Sequence, residues 1–200
     1  LNNNQLRGTV PPSLATLSSL MLLMLSVNKL TGSLDAVFNY STQFSLAFVI
    51  INDNLFTGTL PSHLFNLTSL ETLVASTNCF HGTLPASLCW PLLSVVVLNG
   101  LSSAASCRHR LLPGLSSTYI VDKGVHGPIP ACLYSKRLNT LQLSGNRLTG
   151  TLPEGAFNNY YSNNGPMLSL SHNTLTGTIP LSVQTALWLS LDLSYNKFTG

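Results

Sequence analysis

The sequence predicts an α/β solenoid, a stack of similar short coils with a parallel β-sheet along one side. Two observations support this fold class. The pattern L-x-x-L-x-L-x-x-N-x-L-x-G-x-L-P recurs along the chain and is nearly complete at residues 46–61 and 138–153. Its asparagine also returns about every 24 residues, a period typical of stacked repeats.

The L-x-L part of each repeat predicts a short strand, because alternate side chains of a strand point to opposite faces. In the repeat at 138–153 we expect Leu141 and Leu143 to face the interior and Gln142 to face outward. Successive repeats place these strands side by side in the same direction. The strands therefore form one parallel sheet.

The asparagine that follows each strand has an amide that both donates and accepts hydrogen bonds. Backbone groups in the turn that leaves the strand need such partners. We expect the amides of successive repeats to form a structural ladder, with members Asn4, Asn28, Asn54, Asn78, Asn146, Asn173 and Asn196.

The end of each repeat predicts a return segment on the opposite side of the coil. The glycine permits backbone conformations that a side chain disfavours. The proline fixes φ and lacks an N–H, which suits the start of a 3-10 or irregular segment. Leucines such as Leu64 and Leu67 then fill the back of the coil.

We expect residues 1–200 to form a single array of about nine repeats. In the fifth and sixth repeats, the position equivalent to the repeat asparagine falls near Leu101 and Lys123. The stretch 91–114 is degenerate, without a Gly-x-Leu-Pro segment. Both ends lie within a repeat and lack the polar caps that shield the core of a solenoid. We therefore expect this array to be a segment of a longer protein.

The composition argues against nucleic-acid and membrane-spanning roles. Only 8% of the residues are charged and the net charge is +3, without the dense basic stripe of a nucleic-acid-binding protein. The mean hydropathy is +0.29, but no apolar run approaches the ~20 residues of a spanning helix. We expect neither nucleic-acid binding nor a membrane-spanning segment.

Segments such as 54–61, 146–153 and 173–180 resemble the plant-type leucine-rich repeat, with Asn-x-Leu-Thr-Gly-x-Leu/Ile-Pro as their pattern. The resemblance implies a right-handed superhelix with the parallel sheet on its concave face. It also implies 3-10 or irregular segments on the convex face and few true α-helices. Members of the family are typically extracellular, as ectodomains of receptor kinases, enzyme inhibitors, cell-wall proteins or surface antigens.

The outward positions of the predicted strands change in character along the chain. Repeats seven to nine present hydroxyls and amides, whereas repeats two to six present apolar groups. Contiguous exposed apolar residues usually mark an interaction site. We predict a concave binding surface made of Leu22, Met24, Phe48, Ile50, Val74, Val95, Val97 and Tyr119. The alternatives are that a neighbouring segment covers them or that they only favour strand formation.

Four cysteines, Cys79, Cys89, Cys107 and Cys132, cluster around the degenerate repeat. An even number in a chain of extracellular type indicates disulfides. We expect Cys107 to meet Cys89 or Cys132 across adjacent coils, and the alternative is free buried cysteines. Their spacing does not match that of a zinc site, and we predict no metal.

Two N-glycosylation sequons begin at Asn39 and Asn66. Both fall after the Gly-x-Leu segment of a repeat, so we expect them on the outer side, where a glycan leaves the concave face free. Aromatic and polar insertions at 38–41 and 157–164 are expected on the same side as loop extensions.

We predict that the chain is not an enzyme and has no cofactor. Its five histidines are scattered, and no two of its six carboxylates are placed for acid–base catalysis. We expect an extracellular or cell-surface module that binds a protein or peptide ligand. One alternative is a structural component of a surface, wall or fibre that self-associates. A remote alternative is an ice-binding solenoid, based on the Thr-Gly-Thr segments at 57–59, 149–151 and 176–178.

Overall fold

Short parallel strands alternate with 3-10 turns in the computed structural model, which describes residues 1–104, 107, 124–157 and 165–200. In chain order the strands are β1 (Arg7–Thr9), β2 (Leu22–Met24), β3 (Lys29–Gly32), β4 (Phe48–Ile50), β5 (Leu55–Phe56), β6 (Thr72–Val74), β7 (Gly82–Thr83), β8 (Val95–Val97), β9 (Val125–Pro128), β10 (Thr140–Gln142), β11 (Arg147–Thr149), β12 (Met167–Ser169), β13 (Thr176–Gly177), β14 (Ser190–Asp192) and β15 (Lys197–Phe198).

The return segments begin after a proline, as the repeat pattern predicts. Prolines precede or open the 3-10 segments Pro12–Thr16, Ser62–Asn66, Ala86–Cys89 and Ala131–Tyr134, and Pro180 precedes the short helix α1 (Leu181–Thr185). The one α-helix in the described part of the chain thus has only five residues. The predicted solenoid with few true helices is confirmed.

Seven strands form the concave sheet in the order β14-β12-β10-β8-β6-β4-β2, and all neighbouring pairs are parallel. The central residues of six of these strands form one buried row, Leu23, Val49, Leu73, Val96, Leu141 and Leu168, whereas Leu191 of β14 is exposed. Each fully buried aliphatic side chain contributes about 1.5–3 kcal/mol. The central row therefore holds neighbouring coils together by burial as well as by backbone hydrogen bonds.

Strand β8 pairs directly with β10, through Val96 opposite Leu141. The outward position expected at Tyr119 is outside the described residues. On the side of the second strands, β7 pairs with β9 and β9 with β11. One coil thus contains both β8 and β9, and the asparagine-equivalent position near Leu101 falls within it, whereas Lys123 is outside the described residues. The described strands belong to eight coils.

The ladder asparagines join each coil to the preceding one. The Nδ2 of Asn54 donates to the carbonyl of Leu25 at 2.9 Å and to that of Ile51, in its own coil, at 3.3 Å. Its Oδ1 accepts from the N–H of Leu30 at 3.1 Å. The same arrangement recurs at Asn28, Asn78, Asn146, Asn173 and Asn196. Asn4 is exposed, and its Nδ2 donates to the carbonyls of Leu1 and Asn2 in its own turn.

Four of the repeat glycines accommodate a threonine side chain from the coil before them. Gly82 has φ +86°, and a Cβ placed on it would lie 3.0 Å from the γ-methyl of Thr59. The same contact joins Thr9 to Gly32, Thr83 to Gly127 and Thr151 to Gly177. Glycine at this position therefore serves two purposes: it allows the left-handed backbone and leaves room for the neighbouring threonine.

Two disulfides link neighbouring coils, as the cysteine count predicts. Cys79 pairs with Cys107, with Cα atoms 5.3 Å apart, and Cys89 pairs with Cys132, with Cα atoms 5.7 Å apart. The expected pairing of Cys107 with Cys89 or Cys132 is wrong. Cys107 lies beside Asn78, in the turn after a concave strand. Cys89 and Cys132 lie in equivalent 3-10 segments at the back of adjacent coils.

Replacing Asn54 by alanine should destabilise the chain by about 2–4 kcal/mol, because the carbonyl of Leu25 and the N–H of Leu30 lose a buried partner. Urea unfolding followed by circular dichroism measures this loss. Asn4→Ala is the matched control, since Asn4 is exposed. Equal losses for the two variants would contradict the role assigned to the ladder.

Gly82→Ala should lower the melting temperature more than Gly150→Ala. Both glycines have positive φ, +86° and +100°, so both variants carry the cost of a left-handed backbone, about 1–2 kcal/mol. Only at Gly82 does the new methyl group also meet the neighbouring coil, since nothing lies within 4 Å of the Gly150 position. A smaller effect at Gly82 would contradict the packing role of Thr59.

Candidate functional site

The outward positions of the concave sheet form two rows. The strand pairing aligns Leu22, Phe48, Thr72, Val95, Thr140, Met167 and Ser190 in the first row. It aligns Met24, Ile50, Val74, Val97, Gln142, Ser169 and Asp192 in the second. The structure thus brings together seven of the eight predicted surface residues, on β2 to β8. The eighth, Tyr119, lies outside the described residues.

We call these seven residues the apolar patch: Leu22, Met24, Phe48, Ile50, Val74, Val95 and Val97. Leu22 is 46% exposed and Phe48 is 37% exposed, while the other five are half-buried between their neighbours in the sheet. Val27 lies beyond the patch, in the turn after β2. No described segment covers Leu22 or Phe48.

Two exposed apolar residues that the sequence reasoning missed precede the concave strands. Met21, directly before β2, is 61% exposed, and Phe44, four residues before β4, is 60% exposed. The carbonyl of Met21 accepts the N–H groups of Ala47 and Phe48, so it lies beside the apolar patch. The sequence does contain a signal for Met21: it is an apolar residue at a position where other repeats have the polar residues Glu71 and Asn139.

Hydrogen-bonded side chains occupy the other end of the concave face. The Nδ2 of Asn99 donates to Oε1 of Gln142 at 2.9 Å, and its Oδ1 accepts from the N–H of Ser144 at 2.8 Å. The hydroxyls of Ser144 and Ser169 are 2.6 Å apart, and Ser171 donates to Ser144 at 3.1 Å. We call Asn99, Gln142, Ser144, Ser169, Ser171 and Asp192 the polar patch.

Asp192 is the one charged residue in the two outward rows of the described sheet. The hydroxyl and the N–H of Ser194 donate to its Oδ1, at 2.6 and 3.1 Å. These hydrogen bonds, with others from Ser171 and Ser169, lower the pKa of Asp192 below its usual 3.8. The carboxylate therefore stays ionised in neutral and mildly acidic solution.

The insertion at 38–41 is anchored to the coil before it. Phe38 is buried, and the buried Gln43 donates from Nε2 to the carbonyl of Leu14 at 3.0 Å. Its Oε1 accepts the N–H of Asn39 at 2.8 Å, which holds the turn that carries the first sequon. Asn39 and Tyr40 remain exposed.

The second insertion begins in an aromatic stack at the back of the coils. Phe157 is buried and packs edge-on against Tyr134, at 5.6 Å between ring centroids, and against Trp188, at 5.5 Å. Burial raises the pKa of Tyr134 to about 12, which keeps its phenol neutral. The rest of the predicted insertion, 158–164, lies outside the described residues.

Two cavities lie near the turns that follow the concave strands. One, of about 410 Å³, is lined by residues that include Lys29, Asp53 and Thr77, and the other, of about 190 Å³, adjoins Cys107. Within the described residues, no group of three or more His, Cys, Asp or Glu side chains is placed to hold a metal ion.

The second strands carry the threonines on which the ice-binding alternative depends. These strands pair within three groups, β1-β3-β5, β7-β9-β11 and β13-β15. Backbone hydrogen bonds also join neighbouring groups, from Cys79 to Phe56 and from Thr176 to Gly150. Pro128 interrupts the threonine positions. The described threonines therefore do not form one continuous regular plane.

None of the helices in the described part of the chain has the length and apolar character needed to cross a membrane. The Leucine Rich Repeat family matches the sequence at residues 137–159 and 167–186. No curated protein matches the chain closely enough to be counted as a relative.

Solved structures of plant receptors resemble the chain over its length. The plant peptide hormone receptor RGFR1, solved with RGF2, shares 29% identity at a TM-score of 0.78, covering 100% of this chain and 28% of the receptor. The ectodomain of the Arabidopsis thaliana receptor kinase GASSHO1/SCHENGEN3, solved with CASPARIAN STRIP INTEGRITY FACTOR 2, shares 31% identity at a TM-score of 0.75. That match covers 98% of this chain and 21% of the ectodomain.

A plant ice-binding protein also matches, with 19% identity and a TM-score of 0.56 over 100% of this chain and 72% of that protein. At this identity the likeness concerns the fold alone. The chain spans 28% and 21% of the two receptor chains, so it corresponds to a minor part of each.

Proposed function

We propose that this chain, which is a plant-type leucine-rich-repeat protein, is an extracellular recognition module that binds a peptide on its concave face. The observation that carries the proposal is the apolar patch, seven aligned residues on four adjacent strands of an open sheet. Contiguous apolar residues on an exposed face favour association with a partner. The side chains of the apolar patch are not needed to fill the core, because the central residue of each strand fills it.

The geometry of the sheet favours recognition by side chains. Within the concave sheet, strands β4, β6, β8, β10 and β12 have a hydrogen-bonded neighbour on each side, so their backbones have no free edge to which a ligand strand can be added. A ligand on this face therefore meets the two outward rows. Aromatic and large aliphatic residues such as Phe48, Ile50 and Met24 are suited to act as anchors in such a contact.

The comparisons support the same function. The receptors RGFR1 and GASSHO1/SCHENGEN3 were solved with RGF2 and CASPARIAN STRIP INTEGRITY FACTOR 2, and RGFR1 is a peptide hormone receptor. The two disulfides support an extracellular location, because disulfides persist in oxidising compartments. Recognition without catalysis fits a face that presents mainly apolar and hydroxyl side chains.

The double variant Phe48→Ser, Ile50→Ser should lose peptide binding without unfolding. Removing two apolar contacts costs about 3 kcal/mol, or roughly a 100-fold loss of affinity. The probe is a phage-displayed library of random dodecapeptides selected on the immobilised chain, followed by Kd measurements on the enriched peptides.

Tyr40→Ser is the matched control, since it removes an exposed aromatic residue from the outer side. It should bind the enriched peptides as the unsubstituted chain does. Thermal unfolding of all three proteins establishes that the substitutions leave the fold intact. Failure to enrich any peptide, or undiminished binding by the double variant, would reject the proposed function.

We also propose that the outer side carries N-glycans at Asn39 and Asn66. Asn39 is exposed, and its Oδ1 accepts the N–H of Ser41 at 3.0 Å. Asn66 is half-buried at the end of its 3-10 segment. Neither lies in the outward rows of the concave sheet, so glycans there leave the apolar patch accessible.

Secretion from a eukaryotic host should yield a chain whose mass falls on treatment with peptide N-glycosidase F. Asn39→Gln should remove one glycan, because a sequon in an exposed turn is accessible to the transferase. Asn4→Gln, outside any sequon, is the control and should leave the mass shift unchanged. An Asn39→Gln variant with the full glycan mass would contradict the assignment.

A further inference from the structure

The concave face has a direction, because its chemistry changes from one end of the stack to the other. The apolar patch spans β2 to β8, whereas the outward rows of β10 to β14 contain mainly hydroxyl and amide side chains. Asp192, on β14, is the one charged residue in these rows within the described sheet. A ligand that contacts both ends must therefore be apolar at one end and polar at the other.

The carboxylate of Asp192 carries a charge that its described neighbours do not balance. Ser194 donates twice to Oδ1, Ser171 also contributes a hydrogen bond, and the contact from Ser169 to Oδ2 is long, at 3.5 Å. The groups that act on Asp192 are serine hydroxyls and a backbone N–H, so they do not balance its charge. A cationic donor is the chemical complement of this site.

The spacing of the strands sets the length of a ligand that reaches both ends. Five strand intervals separate β4 from β14 in the sheet. At about 4.8 Å for each interval, Phe48 and Asp192 lie roughly 24 Å apart along the stack. An extended peptide advances about 3.4 Å per residue, so about seven residues cover this distance.

We infer that the ligand is an extended peptide that lies along the stack, with apolar side chains on the apolar patch and a basic group against Asp192. The basic group is a lysine, an arginine or the terminal amine, about seven residues from the apolar anchor. The hydroxyls of Ser169 and Ser171 lie beside the carboxylate and accept further hydrogen bonds from the same group. This inference rests on the proposed function and adds the chemistry and orientation of the ligand.

The test compares peptides selected from the same dodecapeptide library on three forms of the chain: unsubstituted, Asp192→Asn and Asp35→Asn. Asp35 is the matched control, an exposed aspartate that accepts from Ser33 outside the concave sheet. On the unsubstituted chain, the enriched peptides should combine an apolar cluster with a basic residue six to eight positions away. The Asp35→Asn pool should be the same.

The Asp192→Asn pool should keep the apolar cluster and lose the basic residue. An enriched peptide synthesised with norleucine in place of its lysine should bind the unsubstituted chain about two- to fivefold more weakly, and the loss should disappear on Asp192→Asn. Raising the salt concentration should weaken only the lysine peptide on the unsubstituted chain.

Two outcomes separate this inference from the proposed function. Enriched peptides that share the apolar cluster but no basic residue would overturn the inference and leave the proposed function standing. The absence of any enriched peptide would overturn the proposed function and, with it, the inference. Equal basic enrichment on the Asp192→Asn and unsubstituted chains would assign the basic group to another site and also overturn the inference.

Discussion

The asparagine ladder is the interaction on which the rest of the structure depends. Each turn after a concave strand directs backbone groups into the core, where water does not reach them. The amide of Asn54 is buried and satisfies such groups in two coils at once, and its equivalents repeat this along the stack. A coil is therefore complete only when its neighbour is in place. Stability arises between coils rather than within them.

The ladder and the buried central row stabilise the fold through residues that face inward, so the outward rows are available for recognition. Phe48 and Ser190 occupy the same outward row, as do Met24 and Asp192, and they differ in chemistry without a change in the sheet. The binding surface can thus vary while the scaffold stays constant. The proposed ligand is defined by these outward differences, because the repeat pattern itself is common to all the coils.

The coil that contains β8 and β9 departs most from the pattern, yet the stack continues through it. That coil has Leu101 at the ladder position, and the ladder resumes after it, where Asn146 donates to the carbonyl of Leu98. The two disulfides lie on opposite sides of this region and cross-link separations of 28 and 43 residues. Cross-links of this length contribute about 4 kcal/mol each by restricting the unfolded chain. They offset the weaker repetition of apolar residues there.

The sequence by itself determined the solenoid, the ladder asparagines and the outward position of residues such as Phe48. These follow from the alternation of a strand and from one period, which are local properties of the chain. Only the tertiary structure decided that β8 pairs with β10, that Cys107 pairs with Cys79, that Thr59 packs on Gly82 and that serines surround Asp192. Most of these contacts join different coils, and a one-dimensional pattern with an irregular segment does not specify which coils become neighbours.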